Sequence, residues 1–260
     1  MAKVIAIINQ KGGVGKTTTA VNLSALLGTM GQRVLMIDLD PQGNTTSGLG
    51  MEVDDKSIYE VIMGRMKLTD VMEETEFKNL SIAGSDVRLA NAELELVEVE
   101  KREYRLKTAV QSVQQDFDFI FIDCPPSLGL LTINALGAAD SVLIPIQCEY
   151  YALEGVASLM NTISRVKKTI NPHLEIEGVL LTMLDGRTNL GLQVVDEVKK
   201  HFKKLVYATV IPRSVRLGEA PSHGEPIHVY DKRSAGCVAY VNLAKEVLKR
   251  NNIKVKEFKL

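Results

Sequence analysis

The order of three short segments at the start of the chain constrains its fold more than any other feature. Val4-Ile5-Ala6-Ile7-Ile8 is a continuous apolar run, the residues from Asn9 to Thr18 read NQKGGVGKTT, and Ala20, Leu23, Leu26 and Leu27 then recur at helical spacing. A strand that passes through a glycine-rich turn into a helix is the first half of a βαβ unit, and such units build parallel sheets. In that turn Gly12, Gly13 and Gly15 let backbone N–H groups point inward, and the helix N-terminus adds its positive dipole end. Together they make a seat for phosphate. The usual pattern is G-x-x-x-x-G-K-[ST]. The chain meets it at Gly15-Lys16-Thr17 but has Gln10 where the first glycine belongs, and it carries a second lysine, Lys11, at the loop entrance.

The rest of the chain repeats the same alternation. Short β-rich runs at 4–8, 34–38, 80–83, 119–122, 141–145, 176–183 and 206–211 predict strands, nearly all apolar, as expected of strands covered on both faces. Helical spacing marks 16–30, 94–115, 153–170, 192–202 and 237–250. Gly31 stops the first of these helices, and Asn171-Pro172 follows the one ending at Ile170. There is no repeat, low-complexity tract or Pro/Ser-rich linker. The expectation is α/β: a single doubly wound, mostly parallel sheet with helices on both faces, spanning 1–260 as one domain. With the first strand starting at residue 3 or 4, no N-terminal helix-turn-helix domain is expected.

Composition narrows the setting. No apolar run approaches the ~20 residues of a membrane span, and the N-terminus lacks a signal-peptide pattern. Cys124, Cys148 and Cys237 are odd in number and form no C-x-x-C pair, which suits a reduced cytoplasm better than disulfides or zinc. The net charge of −1 hides an asymmetry. Residues 1–160 hold 13 Lys+Arg against 22 Asp+Glu, a balance of −9, and residues 161–260 hold 18 against 10, a balance of +8. The basic half is a candidate face for phosphates.

Three carboxylates complete the candidate nucleotide site. Lys16 would neutralise β/γ-phosphates and the Thr17 hydroxyl would ligate Mg²⁺. Phe119-Ile120-Phe121-Ile122-Asp123 is an apolar strand ending in an acid at the carboxyl edge of the sheet, where ligands sit in open α/β folds, so Asp123 is the candidate to hold the metal through a water. Residues 34–44 (VLMIDLDPQGN) end in two acids. Asp40, where the strand gives way to a turn, is the candidate to orient the attacking water, and Asp38, deeper in the strand, reads as structural or metal-shell. The lesser alternative for both acids is a cap of the following turn.

The loop Lys11-Gly12-Gly13-Val14-Gly15-Lys16-Thr17-Thr18 resembles the deviant Walker A motif of the MinD/ParA group of P-loop ATPases. Residues 38–48 (DLDPQGNTTSG), 123–134 (DCPPSLGLLTIN), 147–155 (QCEYYALEG) and 215–224 (VRLGEAPSHG) resemble ParA/Soj-type chromosome-partitioning ATPases, so the likeness covers nearly the whole chain. The resemblance implies Mg²⁺-dependent hydrolysis of ATP, with residues 11–18 on the phosphates and Pro212 and Arg213 near the adenine. It implies a homodimer in which Lys11 reaches the partner's nucleotide, doing what an arginine finger does elsewhere. It further implies non-specific double-stranded DNA binding through Arg187 and Arg216, and stimulation by a ParB-type centromere-binding protein on the nucleoid. Lys199, Lys200, Lys203 and Lys204, on a predicted helix, add to the basic half.

Two rivals share the loop. A MinD-like membrane-positioning ATPase needs a C-terminal amphipathic helix, but Asn251-Asn252 interrupts the period of the basic tail at 249–260, and a membrane partner is not expected. An electron-transfer ATPase like the nitrogenase iron protein needs cluster-bridging cysteines, and Cys124 and Cys148 stand in no matching motif.

Overall fold

The computed structural model describes residues 1–149, 155–187 and 189–254. Among them, the strands are β1 (Lys3–Ile7), β2 (Val34–Asp38), β3 (Met72–Glu74), β4 (Leu80–Ala83), β5 (Phe119–Asp123), β6 (Ser141–Gln147), β7 (Glu175–Leu184) and β8 (Val206–Pro212). They join in one sheet in the order β3-β4-β2-β5-β1-β6-β7-β8. Neighbours are parallel except at β3–β4, which is antiparallel.

The helices are α1 (Lys16–Thr29), α2 (Asn44–Gly48), α3 (Ile58–Ile62), α4 (Leu68–Val71), α5 (Leu89–Glu95), α6 (Arg105–Val113), α7 (Leu130–Ala138), α8 (Val156–Thr169), α9 (Asn189–Phe202), α10 (Val215–Glu219), α11 (Ile227–Tyr230) and α12 (Ala235–Arg250). Strand residues alternate between two cores. Ile5, Ile7, Met36 and Phe121 pack under α1 and α12, while Val4, Ala6, Ile37 and Ile122 pack under α6, α7 and α8. Both faces are therefore covered, and the sheet is doubly wound and mostly parallel, as the near-continuous apolar strands predict.

The seven predicted strands are present with ends shifted by a few residues. Three departures have physical causes. The helix expected over 94–115 is two helices, because α5 ends at Glu95 and α6 begins at Arg105. Between them Lys101 takes a left-handed φ of 54°. Asn134 of α7 supplies partners there, donating to the Arg102 carbonyl (2.9 Å) and accepting from the Leu106 N–H (3.2 Å). A tertiary contact thus outweighs the local period. β3 is a short charged edge strand, a type that escapes pattern reading because its charges guard the edge. α7 is apolar nearly all round and buried, so it presents no stripe. Two of the expected basic residues, Lys203 and Lys204, lie in a 3₁₀ turn after α9 rather than on the helix. The start of the helix expected at 153, and the tail beyond residue 254, lie outside the described residues. No helix among the described residues is long and apolar enough to cross a membrane.

β1 is the hub. The chain leaves it toward β2 on one side and, after β5, crosses to β6 on the other, so the winding reverses beside the β1–α1 loop. That reversal opens the crevice in which open α/β sheets hold ligands.

α1 is pressed closely on the approach to β4. A Cβ added to Gly28 would collide with the Lys78 carbonyl oxygen, and the Gly28 carbonyl itself accepts from Asn79 Nδ2 (3.0 Å). Gly28→Ala is expected to destabilise the protein by ~1–3 kcal/mol through overpacking. Urea denaturation followed by circular dichroism checks this, with a lower midpoint at unchanged slope as the expected result.

Candidate nucleotide site

The phosphate-loop residues are fixed from three strands. Asn9, just past β1, donates through Nδ2 to the Pro145 carbonyl of β6 (2.7 Å) and accepts from the Lys11 N–H (3.0 Å). From β7, Thr182 donates to the Val14 carbonyl (2.8 Å). Gly15 caps α1 with φ 89°, a left-handed conformation that a side chain would strain. Lys16 is buried, and its ammonium arcs back to the Lys11 carbonyl (3.3 Å). Burial lowers its pKa, opposed by the charge of Asp123 and, more weakly, by Cys124 and Asp40. A cation held with so few partners is poised for an anionic ligand.

Asp123 stands at the carboxyl end of β5, wholly buried, directly opposite Asp38 at the end of β2. Two hydroxyls donate to Asp123 Oδ2, Thr17 from α1 (2.8 Å) and Thr45 from α2 (2.7 Å). Its Oδ1 is buried without a partner. Asp38 Oδ2 accepts from the Thr46 N–H (2.9 Å) and hydroxyl (2.7 Å), and Oδ1 accepts from the Asp40 N–H (3.2 Å). Burial raises both carboxyls above the usual range. The Asp123 charge adds to the rise at Asp38, whereas Thr45, Thr17 and Lys16 oppose it at Asp123. The bonds to Thr46 give Asp38 a structural task, fastening α2 to the sheet. Asp40 is nearly buried and accepts the Gln42 N–H (3.0 Å), so it also caps its turn.

Beside the loop lies a cleft of about 200 Å³ lined by Gly15, Thr18, Met183, Pro212, Arg213 and Tyr240. The structure thus brings Pro212 and Arg213, remote in sequence, next to the helix that follows the phosphate loop. Met183 on its wall has φ 53°, an uncommon conformation for a side chain of its size.

Lys11 is partly exposed, with its ammonium 4.0 Å from Glu149 Oε2. The following residues of the 147–155 motif, 150–154, lie outside the described residues. Arg187, in the turn after β7, forks onto Asp185 through Nε (2.9 Å) and Nη2 (2.7 Å), holding that carboxyl well below the usual range. Its neighbour Thr188 lies outside the described residues. Arg216 of α10 pairs with Glu219 (2.9 Å) and Asp231 (3.4 Å). Both arginines are exposed and both are engaged by the chain's own acids. Cys124 and Cys148 are buried, and burial pushes the Cys148 thiol up to about 11.

Sequence reasoning missed Asn9, Thr45, Thr46 and Thr182. Thr45-Thr46 follows Asp38 closely enough to be suspected as a local donor pair, but the bond from Thr45 to Asp123 joins residues 78 apart.

Comparison with known proteins supports the same picture. A family model described as an AAA domain matches residues 2–176. The chain is 59% identical over 249 residues to the sporulation initiation inhibitor protein Soj of Bacillus subtilis, covering 95% of this chain and 98% of that protein. It is 50% identical over 256 residues to the chromosome partitioning protein ParA of Myxococcus xanthus, covering 98% and 90%. Among solved structures, cobyrinic acid a,c-diamide synthase from Mycobacterium smegmatis, with bound ATP analog and magnesium, matches with a TM-score of 0.85 at 37% identity over 100% of both chains.

The carboxylate pair makes a signed prediction. Because folding raises both pKa values, the native state holds protons that the unfolded chain has lost, so stability falls as pH rises above the ordinary carboxylate range. Asp123→Asn removes one charge and keeps an oxygen for the two threonines. It is expected to stabilise the nucleotide-free protein by ~1–3 kcal/mol at pH 8, a gain that fades toward pH 5. Thermal melts of both proteins across that range check it.

Proposed function

The chain belongs to the ParA/Soj family of chromosome-partitioning ATPases, and from that premise we propose a nucleotide-switched DNA-segregation protein acting as a single ATPase domain. ATP assembles a sandwich homodimer, the dimer binds duplex DNA of the nucleoid without sequence preference, and a ParB-type partner stimulates hydrolysis. The observation that carries the reading is the convergence of Lys16, Thr17 and Asp123 at the carboxyl edge of the sheet, with one Asp123 oxygen left buried and unpaired.

Those residues fit a magnesium ion. They offer hard oxygen donors, and the unpaired Asp123 oxygen suits a water of the ion's shell. Thr17 would hold the ion directly and Asp123 through that water. Bound there, magnesium would supply positive charge to offset that of the phosphates. The protein's own groups do the rest. Backbone N–H groups of residues 12–18 cradle the phosphates, and Lys16 exchanges the Lys11 carbonyl for phosphate oxygen. Asp40 orients the water that attacks the γ-phosphorus as the bond to the bridging oxygen breaks, giving ADP and phosphate. Lys11 leaves Glu149 and neutralises charge on the partner's nucleotide. The adenine lies in the cleft lined by Pro212 and Arg213.

DNA binding follows from the paired arginines. Arg187 and Arg216 each exchange a carboxylate for a DNA phosphate, and dimerisation doubles the surface presented. Affinity therefore falls steeply with salt.

Gel shifts on unrelated duplexes, with and without ATP, test the scheme. Asp40→Ala is expected to keep ATP-dependent binding while losing hydrolysis by ~10²-fold or more. Lys11→Ala is expected to lose binding by failing to pair, and Arg187→Ala by lacking its phosphate contact. Asp185→Asn frees Arg187 from its fork and is expected to tighten binding several-fold at low salt. Full ATP-dependent binding by Lys11→Ala overturns the dimer scheme.

A further inference from the structure

Helix α5 carries apolar side chains on two opposite faces. Leu89, Ala92 and Leu96 are buried in the core, yet Val87 and Leu94 are each 77% exposed and Val97 is 57% exposed. Turns at both ends continue the winding, with the Leu89 N–H bonded to the Asp86 carbonyl and the Val97 N–H to the Leu94 carbonyl. At 3.6 residues per turn, Val87, Leu94 and Val97 fall within about 80° of one another, opposite the buried stripe. A second apolar stripe facing solvent has no role in holding this fold together, and such patches mark contact surfaces.

Its surroundings specify the contact. Residues 86–102 contain Asp86, Glu93, Glu95, Glu98 and Glu100 against Arg88, Lys101 and Arg102, so the rim is net acidic, although the Arg102 guanidinium donates to the Val97 carbonyl and Glu95 is paired with Arg65. Arg88 is already engaged by Asp86, Glu60 and Asp55. Nucleic acid and anionic lipid are repelled by such a rim, whereas lysines and arginines flanking an apolar stripe are attracted. The place is also mechanically connected. Glu93 Oε1 accepts the Leu131 N–H at the start of α7 (3.2 Å), and its carboxylate lies against the bare α-carbon of Gly129, in the loop that leads away from Asp123.

We infer that the Val87–Leu94–Val97 face of α5 docks a basic amphipathic helix of a partner protein. The occupant lays its own apolar stripe along these three side chains and sets its cations against Glu98 and the neighbouring acids. The inference rests on this surface alone, independent of the DNA-segregation reading, and is tested without nucleotide or DNA.

The probe is a fluorescent peptide of about 18 residues containing only lysine and leucine, with the leucines at helical period. A second peptide has the same composition with the leucines scattered around the helix. Anisotropy titrations of the full chain are expected to show the periodic peptide binding ~10-fold or more tighter than the scattered one. That advantage is expected to vanish in Leu94→Ser/Val97→Ser, and Glu98→Lys is expected to weaken binding of the periodic peptide. All the substitutions are on exposed side chains, and thermal melts matching wild type confirm that the fold is kept. Equal binding of the two peptides, or an advantage that survives the double substitution, overturns the proposal. Two companion measurements decide the occupant. Self-association of wild type in the ultracentrifuge that the double variant loses makes the face a contact between copies, and sedimentation with phosphatidylglycerol vesicles that the double variant loses makes it a lipid surface. Either result overturns docking of a basic helix.

Discussion

Two buried carboxylates, Asp38 and Asp123, end adjacent parallel strands side by side, and the organisation of the site follows from holding them there. Burial and mutual charge both disfavour the ionised pair. The offsetting groups are three threonine hydroxyls, Thr17, Thr45 and Thr46, with two backbone N–H groups. Thr17 belongs to α1 and the other two to α2. The bonds that make the acids tolerable therefore also fix the phosphate loop and the Asp40 turn against the sheet. With Asp123 Oδ1 still unpaired, the arrangement is incomplete in charge and hydrogen bonding. A magnesium nucleotide would complete both at once. This links ligand binding to the position of α2, since any group that competes for Asp123 draws on the bonds that hold Thr17 and Thr45.

The same bonds explain what could be read in the sequence. The glycine loop was legible because its chemistry is local: strand, turn, helix start and Gly-Lys-Thr lie within fifteen residues. Strands such as Phe119–Asp123 were legible because burial on both faces leaves only apolar side chains until the carboxyl edge. The site's completion was less so. Thr45, after β2, reaches Asp123 at the end of the neighbouring β5, and Asn9 and Thr182 anchor the loop to β6 and β7, contacts that only strand order creates. The division of 94–115 into two helices hid for the same reason, since Asn134, on another helix, supplies the partners that let the chain turn. The resemblance pointed to Pro212 and Arg213, but only the meeting of β8's end with α1 gives them a cleft to line.

The charge asymmetry of the two halves acquires a finer meaning from the arginine pairs. The basic half does not present bare cations at Arg187 and Arg216, because each is matched by an acid within its own loop or its immediate neighbourhood. Exposed pairs of this kind contribute little to stability, commonly ~0–1 kcal/mol, so exchanging a carboxylate for a phosphate is nearly neutral for the fold. It is not neutral for binding. In the proposed exchange each arginine would give up one anion to take another, and the net gain per contact is small until counterions released from DNA are added and several contacts act together. Under the proposed function a single subunit would hold duplex weakly, and two subunits joined through their nucleotides would present twice the contacts at fixed spacing, where affinities multiply rather than add. On that proposal, self-paired arginines would make the surface nearly silent in one copy and effective in two, which is the behaviour a nucleotide-dependent dimer would require of a DNA-binding face.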